Sequence, residues 1–256
     1  MMRIALLSDI HGNLVALEAV FADLRQHGAF DEIIVAGDLA WSGPWPAEVV
    51  DLLRASGAAV IQGNTDAFFR RRAGDPPPGK RDSRFAEQLA WMSERLGGER
   101  LSYLANLPFS HRVIPQSGQD LLVVHANPSD LDHPIMPKTS AADLDDLLLA
   151  EGTAPDWAAL AFGHIHVPFT RHWRGRLLVD VASAGLPMDG DPRAVYAILT
   201  WQDGQWQAEH HRVFYEVPVV AHQMREGGMP RGKHFAERLM TARYSLMVPM
   251  VATAHE

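Results

Sequence analysis

The sequence RIALLSDIHGN at residues 3–13 joins a short apolar run to two side chains of the metal-binding type. Residues 3–8 are typical of a buried strand, and Asp9 and His11 follow at its end. Because Asp9 and His11 are two residues apart in an extended segment, their side chains lie on the same side of the chain. The stretch therefore predicts a strand that brings a carboxylate and an imidazole to one place.

Strand and helix patterns alternate through the first third of the chain. One helix pattern runs from the N-cap residue Asn13 to Gly28, and another runs from Pro46 to Gly57. The strand patterns lie at residues 3–8, 32–36 and 58–62. This alternation favours a largely parallel sheet with right-handed crossovers.

The rest of the chain is dominated by strand patterns. A helix pattern between Phe85 and Gly97 comes first, and a helical segment from Val219 comes last. The dipeptide Asp203-Gly204 is typical of a hairpin turn between the last two strands. The strand patterns lie at residues 121–124, 160–162, 177–181, 194–201 and 205–214.

The chain has 256 residues, of which 47% are hydrophobic and 21% are charged, a composition typical of a globular protein with a sizeable core. We expect a single domain over residues 1–256. Within it, we expect a loop and helix insertion at residues 70–98 and a peripheral C-terminal segment at residues 219–256.

The composition excludes several classes of chemistry. Cysteine is absent, which excludes disulfides, thiolate catalysis and cysteine-based zinc sites. The formal net charge of −8 excludes a chain built throughout to coat a polyanion, so phosphate chemistry requires a local site. The apolar run at residues 4–7 is too short for a signal peptide, and the run at 244–254 is too short to span a membrane. We therefore expect a cytoplasmic protein with no membrane partner.

Polar side chains of the metal-binding type follow five of the predicted strands. They are Asp9, His11, Asp38, Asn64, His125, His164 and His166. Because ligands gather beyond the carboxyl ends of parallel strands, these side chains can converge on one crevice. Oxygen and nitrogen ligands in this mixture suit Mn²⁺, Fe, Zn²⁺, Co or Ni²⁺ better than Ca²⁺. The set is too large for one tetrahedral ion and suits two ions.

Two divalent ions would make this crevice positive on a negative protein. Their charge exceeds that of the carboxylates of Asp9 and Asp38, so an anion is the expected guest. Metal coordination also lowers the pKa of water toward about 7, which supplies a nucleophile at neutral pH. The arrangement therefore predicts hydrolysis of a phosphate ester.

The motifs resemble those of a known superfamily. The ordered set Asp9-x-His11, Gly37-Asp38, Gly63-Asn64-x-Asp66, His125 and Gly163-His164-x-His166 resembles the calcineurin-like metallophosphoesterase superfamily. The segment SAGLPMDGDPRAVY at residues 183–196 is similar to the small bacterial and archaeal branch, which also contains phosphodiesterases. The resemblance covers most of the chain and implies an α/β fold, a β-sandwich of two mixed sheets flanked by helices.

The resemblance also implies how the ligands divide between two ions. One ion is implied for Asp9, His11 and His166, and the second for Asn64, His125 and His164. Asp38 is implied to bridge the ions, with a metal-bridging hydroxide beside it as the nucleophile. We expect two divalent ions, with Mn²⁺ preferred over Fe, Zn²⁺, Ni²⁺ or Co, and we expect Asn64 to contact the substrate as well.

Two departures from the family pattern concern the leaving group and a nearby loop. Many members have His after the Asn of the third motif, whereas this chain has Thr65, a poor general acid. Thr65 and Asp66 are further catalytic candidates, and Asp66 either caps a helix that begins near Ala67 or orients a ligand. The residues at 180–182, Asp-Val-Ala, stand where the branch usually has Asn-Pro-Gly.

Two further stretches have both a structural and a functional interpretation. The basic stretch at residues 70–84 includes Arg70, a candidate substrate-binding residue, and is either a solvated loop or a flap that attracts anions. Trp41 and Trp45 form either a packed aromatic corner or a wall on which a base stacks. His111 and His133 are expected to be surface or satisfied core histidines.

The predicted function is a dinuclear metal-dependent phosphoesterase, preferably a phosphodiesterase that acts on a nucleotide or nucleic-acid type of diester. A phosphomonoesterase for nucleotides or phosphoproteins is the alternative within enzymes. A non-catalytic metal-binding scaffold is the alternative from another class, and the intact ligand set argues against it. The substrate, the native metal and the oligomeric state, including a homo-oligomer, stay open.

Overall fold

The structure is a computed structural model that describes residues 1–70, 83–149 and 153–244. These residues form ten strands and six α-helices. The strands are β1 (Met2–Leu7), β2 (Glu32–Val35), β3 (Ala59–Val60), β4 (Ser110–Val113), β5 (Leu121–Val124), β6 (Ala159–Phe162), β7 (Phe169–Trp173), β8 (Arg176–Asp180), β9 (Ala194–Gln202) and β10 (Gln205–Val213). The helices are α1 (Leu14–Leu24), α2 (Pro46–Ser56), α3 (Ser83–Ala105), α4 (Ala141–Leu148), α5 (Val217–Glu226) and α6 (Gly232–Thr241).

The strands form two mixed sheets of five strands each. In the first, ordered β10-β9-β1-β2-β3, the last three strands are parallel, while β9 pairs antiparallel with β1 and β10. In the second, ordered β4-β5-β6-β8-β7, the three central strands are parallel and the two edge strands antiparallel. The two mixed sheets that the family resemblance implies are confirmed. The alternation predicted a largely parallel sheet, and this prediction fits only the parallel strands of each sheet.

Alternation along β1 explains how the two sheets pack. Ile4 and Leu6 lie in the core between the sheets, whereas Ala5 and Leu7 face the helices α1, α2 and α3 on the outer side. A period of two along a strand sends successive side chains to opposite faces. On the outer face of the second sheet, Leu144 of α4 packs in a third cluster. The molecule is therefore layered as helices, sheet, sheet and helix.

Several predicted element ends agree with the structure. The side chain of Asn13 accepts a hydrogen bond from Ala16 N at 3.1 Å and caps α1. Pro46 is the first residue of α2. Asp203 and Gly204 both have positive φ, at 52° and 78°, and they form the turn between β9 and β10.

Other elements differ from the prediction. The edge strands β4 and β7 and the helix α4 are not among the predicted elements. The helix expected to end at Gly97 continues to Ala105, because Gly97, with φ of 67°, introduces a kink after which the helix resumes. A glycine that permits positive φ can therefore bend a helix as well as end it.

The C-terminal helices α5 and α6 pack on the body of the protein. They share a core with Leu186 and Met188, and Arg238 and Tyr244 line a cleft that also contains His11. The described part of the segment expected to be peripheral therefore forms one wall of a cleft. The division into one domain, an insertion at 70–98 and a segment at 219–256 stays a prediction.

Two of the interpreted stretches fall partly outside the described residues. Residues 71–82, which make up most of the basic stretch at 70–84, lie outside the described residues. Residues 245–256, at the end of the C-terminal segment, lie outside them as well. The choice between a flap and a solvated loop is therefore untested. Within the described ranges, no helix has both the length and the apolar character that crossing a bilayer requires.

Candidate metal centre

All seven predicted ligands lie together at one edge of the sandwich. Asp9, Asp38 and Asn64 follow the parallel strands β1, β2 and β3 of the first sheet. His125 and His164 follow the parallel strands β5 and β6 of the second sheet. Because the carboxyl ends of both sets of strands meet at this edge, residues from distant parts of the chain become neighbours.

The first group contains Asp9, His11 and His166, whose ligand atoms lie within 4.8 Å of one another. Backbone carbonyls accept from Nδ1 of each histidine, Trp41 O from His11 at 2.8 Å and Leu186 O from His166. In the neutral tautomers that these contacts require, both Nε2 atoms are acceptors, yet they lie 3.1 Å apart. Two lone pairs at this distance favour a cation between them.

The second group has the same character. Ala36 O accepts from His125 Nδ1 at 2.8 Å, and Asp132 O accepts from His164 Nε2 at 3.0 Å. The remaining nitrogens, His125 Nε2 and His164 Nδ1, lie 3.3 Å apart. Asn64 Oδ1, a third acceptor, lies 3.1 Å from His125 Nε2. With both histidines in these neutral tautomers, the three atoms that converge are all hydrogen-bond acceptors, and none of them can donate.

Two carboxylates lie between the groups. Asp38 Oδ2 is 3.7 Å from His11 Nε2, and Asp38 Oδ1 is 3.6 Å from His125 Nε2, so Asp38 directs one oxygen toward each group. Asp9 also forms a cluster with Asp38 and His125, in addition to its own group. The geometry fits a bridging role for Asp38 and places Asp9 close to both groups.

The carboxylate of Asp9 is held on one side only. Its Oδ2 accepts from Ser8 Oγ at 2.6 Å and from His164 N at 2.9 Å. Its Oδ1 is buried without a hydrogen-bond partner, 3.1 Å from His166 Nε2. A buried, unpartnered carboxylate oxygen is costly unless a ligand completes it. This oxygen and the converging lone pairs fit divalent ions as the missing ligands.

Burial and mutual charge shift the ionisation of the cluster. Burial, followed by the charge of Asp9, raises the pKa of Asp38 to about 7. Burial would also raise the pKa of Asp9, but the neighbouring His166, His125 and His11 hold it below its usual range. Burial and the neighbouring imidazoles lower the pKa of His11 to about 3 and that of His164 to about 4. Both histidines are therefore neutral at pH 7, the form that binds metals.

The backbone of the cluster is strained. Five of the seven candidate ligands have positive φ, a region that non-glycine residues rarely adopt. They are Asp9 (54°), His11 (50°), Asp38 (58°), His164 (73°) and His166 (61°). Such residues cost about 1 kcal/mol or more each and persist where the surrounding structure holds them. Here hydrogen bonds between the loops do so, among them Asp9 N to Gly37 O at 3.0 Å and His11 N to Asp38 O at 2.9 Å.

Two of the glycines noted beside the ligands allow close approach of the loops. A Cβ at Gly63 would lie 2.1 Å from Asp38 Oδ1, and a Cβ at Gly163 would lie 2.3 Å from Asp9 Oδ2. Both distances are shorter than any real carbon contact, so a side chain at either position would displace a carboxylate. The motif glycines are therefore part of the site.

Asp66 contacts the loop of the candidate ligand Asp38, which fits one of the two roles predicted for it. Its carboxylate is buried and accepts from Asp38 N at 2.8 Å, Leu39 N at 3.1 Å and Gly63 N at 3.0 Å. These three bonds fix the loop that carries Asp38. Thr65 lies in the same loop, where its backbone nitrogen donates to Asp38 Oδ1 at 2.9 Å. Its hydroxyl is buried without a partner.

Five of the seven candidate ligands line a cleft of about 380 Å³, namely His11, Asp38, Asn64, His164 and His166. One wall of the cleft is the aromatic group of Trp41, Phe68 and Phe85, and a second wall contains the neighbouring side chains of Arg238 and Tyr244. Trp41 lies 5.1 Å from Phe68 and 5.4 Å from Phe85, measured between ring centroids. Trp41 therefore packs in an aromatic group that lines the cleft, whereas Trp45, its expected partner, packs in a different cluster with residues of α5 and α6. A larger groove of about 670 Å³ between α1 and α2 contains none of the seven ligands.

Other predicted candidates lie elsewhere or have structural partners. Arg70 is exposed and donates to Ala105 O at 3.3 Å, so the structure does not bring it into the cleft. His111 pairs with Glu32 at 2.7 Å, and the exposed His133 pairs with Asp130 at 3.2 Å. Both histidines fit the structural roles expected for them.

Sequence reasoning missed several residues that shape the site. Asp132 holds two ligands, because its carbonyl accepts from His164 and its carboxylate accepts from Asn64 Nδ2 at 3.1 Å. Arg238 and Tyr244 enter the cleft from the C-terminal segment. No motif marks these residues, since tertiary packing alone brings them to the site.

Asp180 is the first of the three residues, 180–182, that depart from the family pattern. Its side chain is fully buried, Oδ1 accepts from Ala182 N at 2.7 Å, and Oδ2 has no partner. Burial raises the pKa of Asp180 well above its usual range, which disfavours the charged form of this carboxyl.

Known proteins share this architecture. Residues 2–204 match the calcineurin-like phosphoesterase superfamily domain. The crystal structure of a metallophosphoesterase from Sphaerobacter thermophilus is similar, with a TM-score of 0.73 and 32% sequence identity over 94% of this chain and 100% of that chain. A hypothetical protein from Pyrococcus horikoshii OT3 has a TM-score of 0.80 at 18% identity, over 96% of this chain and 100% of that chain, which concerns the fold alone.

One further relative and the extent of the match complete the comparison. An uncharacterized protein of Methanocaldococcus jannaschii is 28% identical over 259 residues, which cover 94% of this chain and 98% of that protein. The matched residues 2–204 include all seven candidate ligands, from Asp9 to His166. The chain matches the family over most of its length, and its candidate ligands cluster at the edge of two mixed sheets. It therefore belongs to the calcineurin-like phosphoesterase superfamily.

Proposed function

We propose that this protein is a dinuclear metal-dependent phosphodiesterase that hydrolyses nucleotide-type diesters in the cytoplasm. The observation that carries the proposal is the pair of acceptor groups on either side of Asp38, at a cleft with two walls. When bound, two divalent ions, with Mn²⁺ as the expected choice, lower the pKa of water and polarise phosphate oxygens. Asp9, His11 and His166 would hold one ion, and Asn64, His125 and His164 the other.

The residues of this chain would fix the reacting groups in place. Asp38 directs one oxygen to each group, and Asp66 holds its loop through three hydrogen bonds. Asp132 orients both Asn64 and His164. Positioning of this kind accounts for much of the rate in phosphoryl chemistry, because little reorganisation is left for the reaction itself.

The preference for a diester rests on the two walls of the cleft. A diester carries two substituents on the phosphorus atom, and the lining of the cleft offers two separate groups of side chains that could contact them. The wall with Trp41, Phe68 and Phe85 provides aromatic rings of the kind on which nucleobases stack. A monoester would use only one of the two walls.

The experiment compares a diester with a monoester on the same metal-loaded protein. Metal-stripped protein is reconstituted with Mn²⁺, Ni²⁺, Zn²⁺ or Mg²⁺ in turn and assayed with bis-4-nitrophenyl phosphate and 4-nitrophenyl phosphate. We expect kcat/KM for the diester to exceed that for the monoester by at least about tenfold, because the monoester loses the contacts of its missing substituent with one wall. His166→Ala should remove this turnover, while the exposed matched control His133→Ala should retain it.

The remaining outcomes distinguish the alternatives. A higher kcat/KM for the monoester would favour the phosphomonoesterase. Two bound ions per chain without turnover of either ester would favour the non-catalytic scaffold. Either result would overturn the proposed diesterase.

A further inference from the structure

Arg238 is a cation without a carboxylate partner on the wall of the cleft. It lies in the last turns of α6, and its buried Nε atom has no hydrogen-bond partner. Its guanidinium lies 5.2 Å from the ring centroid of Tyr244, and its Nη2 lies 4.0 Å from Met188 Sδ. In the described ranges of the chain it forms no ion pair with a carboxylate.

The wall that carries Arg238 is attached to the metal-binding loop. Tyr244 Oη donates to Ile165 O at 3.2 Å, between the two ligands His164 and His166. Met188 N donates to His166 O at 3.0 Å. The guanidinium therefore lies against the loop that brings two candidate ligands to the site, and it lines the same cleft as His11.

Arg238 is one of several described arginines without a carboxylate partner, and it is distinguished by a buried Nε and by its place in the cleft. Ion pairs with carboxylates hold other arginines, among them Arg54, Arg100, Arg112, Arg174, Arg193 and Arg212. The chain has a net charge of −8, so carboxylates are abundant. Burial lowers the pKa of Arg238, yet a guanidinium keeps its charge at neutral pH. A partly buried cation without a partner is costly, which points to an anion from outside the protein.

The reacting phosphate alone does not require this cation. Two divalent ions would already outweigh the carboxylates of Asp9 and Asp38, which leaves ample positive charge for one phosphodiester. A second cation on the wall matches a second negative group in the substrate. Arg231 lies at the N-terminal end of α6 and also lines the cleft. It extends the positive charge along the same wall.

We propose that Arg238 binds a second phosphate group, and that the substrate class is a phosphoanhydride diester in which two phosphates are joined by a bridging oxygen. The inference rests on the proposed function and specifies its substrate. It also accounts for Thr65, whose hydroxyl cannot donate a proton near pH 7. A phosphate leaves without a proton far more readily than an alkoxide does.

The reaction balances with water alone. The oxygen of hydroxide forms a bond to one phosphorus atom, and the bond from that atom to the bridging oxygen breaks. The bond's electron pair stays on the bridging oxygen, which departs as part of a phosphate monoester dianion paired with Arg238. The other product is also a phosphate monoester, and one proton is released to solvent for each water consumed.

The experiment compares a substrate that contains two phosphate groups with a substrate that contains one. The Mn²⁺-loaded protein and its Arg238→Gln and Arg238→Lys variants are assayed with a symmetric dinucleoside diphosphate and with bis-4-nitrophenyl phosphate. We expect Arg238→Gln to reduce kcat/KM for the dinucleoside diphosphate about 10- to 100-fold more than for the aryl diester, as the loss of a charged hydrogen bond implies. Arg238→Lys should keep part of the kcat/KM for the dinucleoside diphosphate that Arg238→Gln loses. Added guanidinium ion should restore part of the lost rate to Arg238→Gln.

Two further measurements separate this role from a structural one. Calorimetry should show weaker binding of pyrophosphate to Arg238→Gln, with a smaller change for inorganic phosphate, while metal analysis still finds two ions per chain. Arg225→Gln removes an exposed arginine of α5 outside the cleft and should match the natural protein throughout.

The inference fails if Arg238→Gln reduces both substrates equally, or if the natural protein cleaves the aryl diester but not the dinucleoside diphosphate. Either of these results leaves the proposed phosphodiesterase intact. Absence of turnover of both substrates by the natural Mn²⁺-loaded protein overturns the proposed function itself. The two failures are therefore distinguishable.

Discussion

His11 Nε2 and His166 Nε2 lie 3.1 Å apart, each with its opposite ring nitrogen bonded to a backbone carbonyl. The carbonyls fix both rings in the tautomer that leaves two lone pairs facing each other. Second partners of this kind orient metal-binding histidines in proteins generally. The ligand geometry is therefore set by the backbone of the loops, and Asp38 lies beside it.

Replacement of Asp38 by Asn tests the bridge. Asn tolerates positive φ and keeps an oxygen that can accept from Thr65 N, so the loop should stay folded. It removes the negative charge between two cations, so we expect both ions to bind more weakly and turnover to fall at least about 100-fold. Metal analysis and turnover are measured together with thermal unfolding. Two ions per chain with near-normal turnover would contradict the bridge.

Replacement of His125 by Ala tests the division of ligands between two ions. His125 belongs to the second group and lies away from the Nε2 pair of His11 and His166, so one ion should be lost preferentially. The expected metal content is about one ion per chain, where the natural protein holds two. His133→Ala, on an exposed histidine, is the matched control. Equal loss of both ions would count against the division, though not against the cluster.

Replacement of Gly163 by Ala tests the close approach of the loops. The new Cβ would lie 2.1 Å from Ser8 Oγ and 2.3 Å from Asp9 Oδ2, so the Asp9 carboxylate must move. We expect a loss of about 1–3 kcal/mol in the free energy of unfolding, and weak binding of both ions. Gly98→Ala is the control, because a Cβ there meets nothing within 4 Å. Urea unfolding and metal titration of both variants give the comparison, and equal behaviour would refute the steric explanation.

Replacement of Thr65 by His tests the absence of a general acid. The natural protein should show a steep dependence of rate on the leaving-group pKa across a series of aryl phosphodiesters. An imidazole with an unperturbed pKa near 6.5 can donate a proton, so Thr65→His should make that dependence shallower. Thr65→Asn, which adds a polar group without a proton to donate, should stay as steep as the natural protein. A shallow dependence in the natural protein would show that another residue already acts as the acid.

The ligands could be predicted because each follows a local pattern. An apolar strand ends, and a short polar motif with glycine comes directly after it, as at Gly163-His164-Ile165-His166. The parallel order of the strands then brings the motifs together. The central strands of both sheets were recognisable for the same reason, since their burial on both faces requires continuous apolar residues.

The elements that escaped prediction lack such a pattern. β4 (SHRV) and β7 (FTRHW) are edge strands whose exposed side chains are polar, and α4 has only 8 residues, three of them Asp. Arg238 and Asp132 also lie outside any motif. Their place at the site depends on how α6 and the loop after β5 pack, which no local spacing encodes.

The positive φ angles of the candidate ligands affect how inactive variants should be interpreted. Glycine at position 11 or 164 would remove an imidazole and also release about 1 kcal/mol of backbone strain. Without metal, such a chain would resist heat as well as the natural protein does, or better. Its thermal unfolding would then resemble that of an optimised protein, although it had lost its chemistry. In this fold, resistance to heat and catalytic competence are opposing demands on the same few backbone positions.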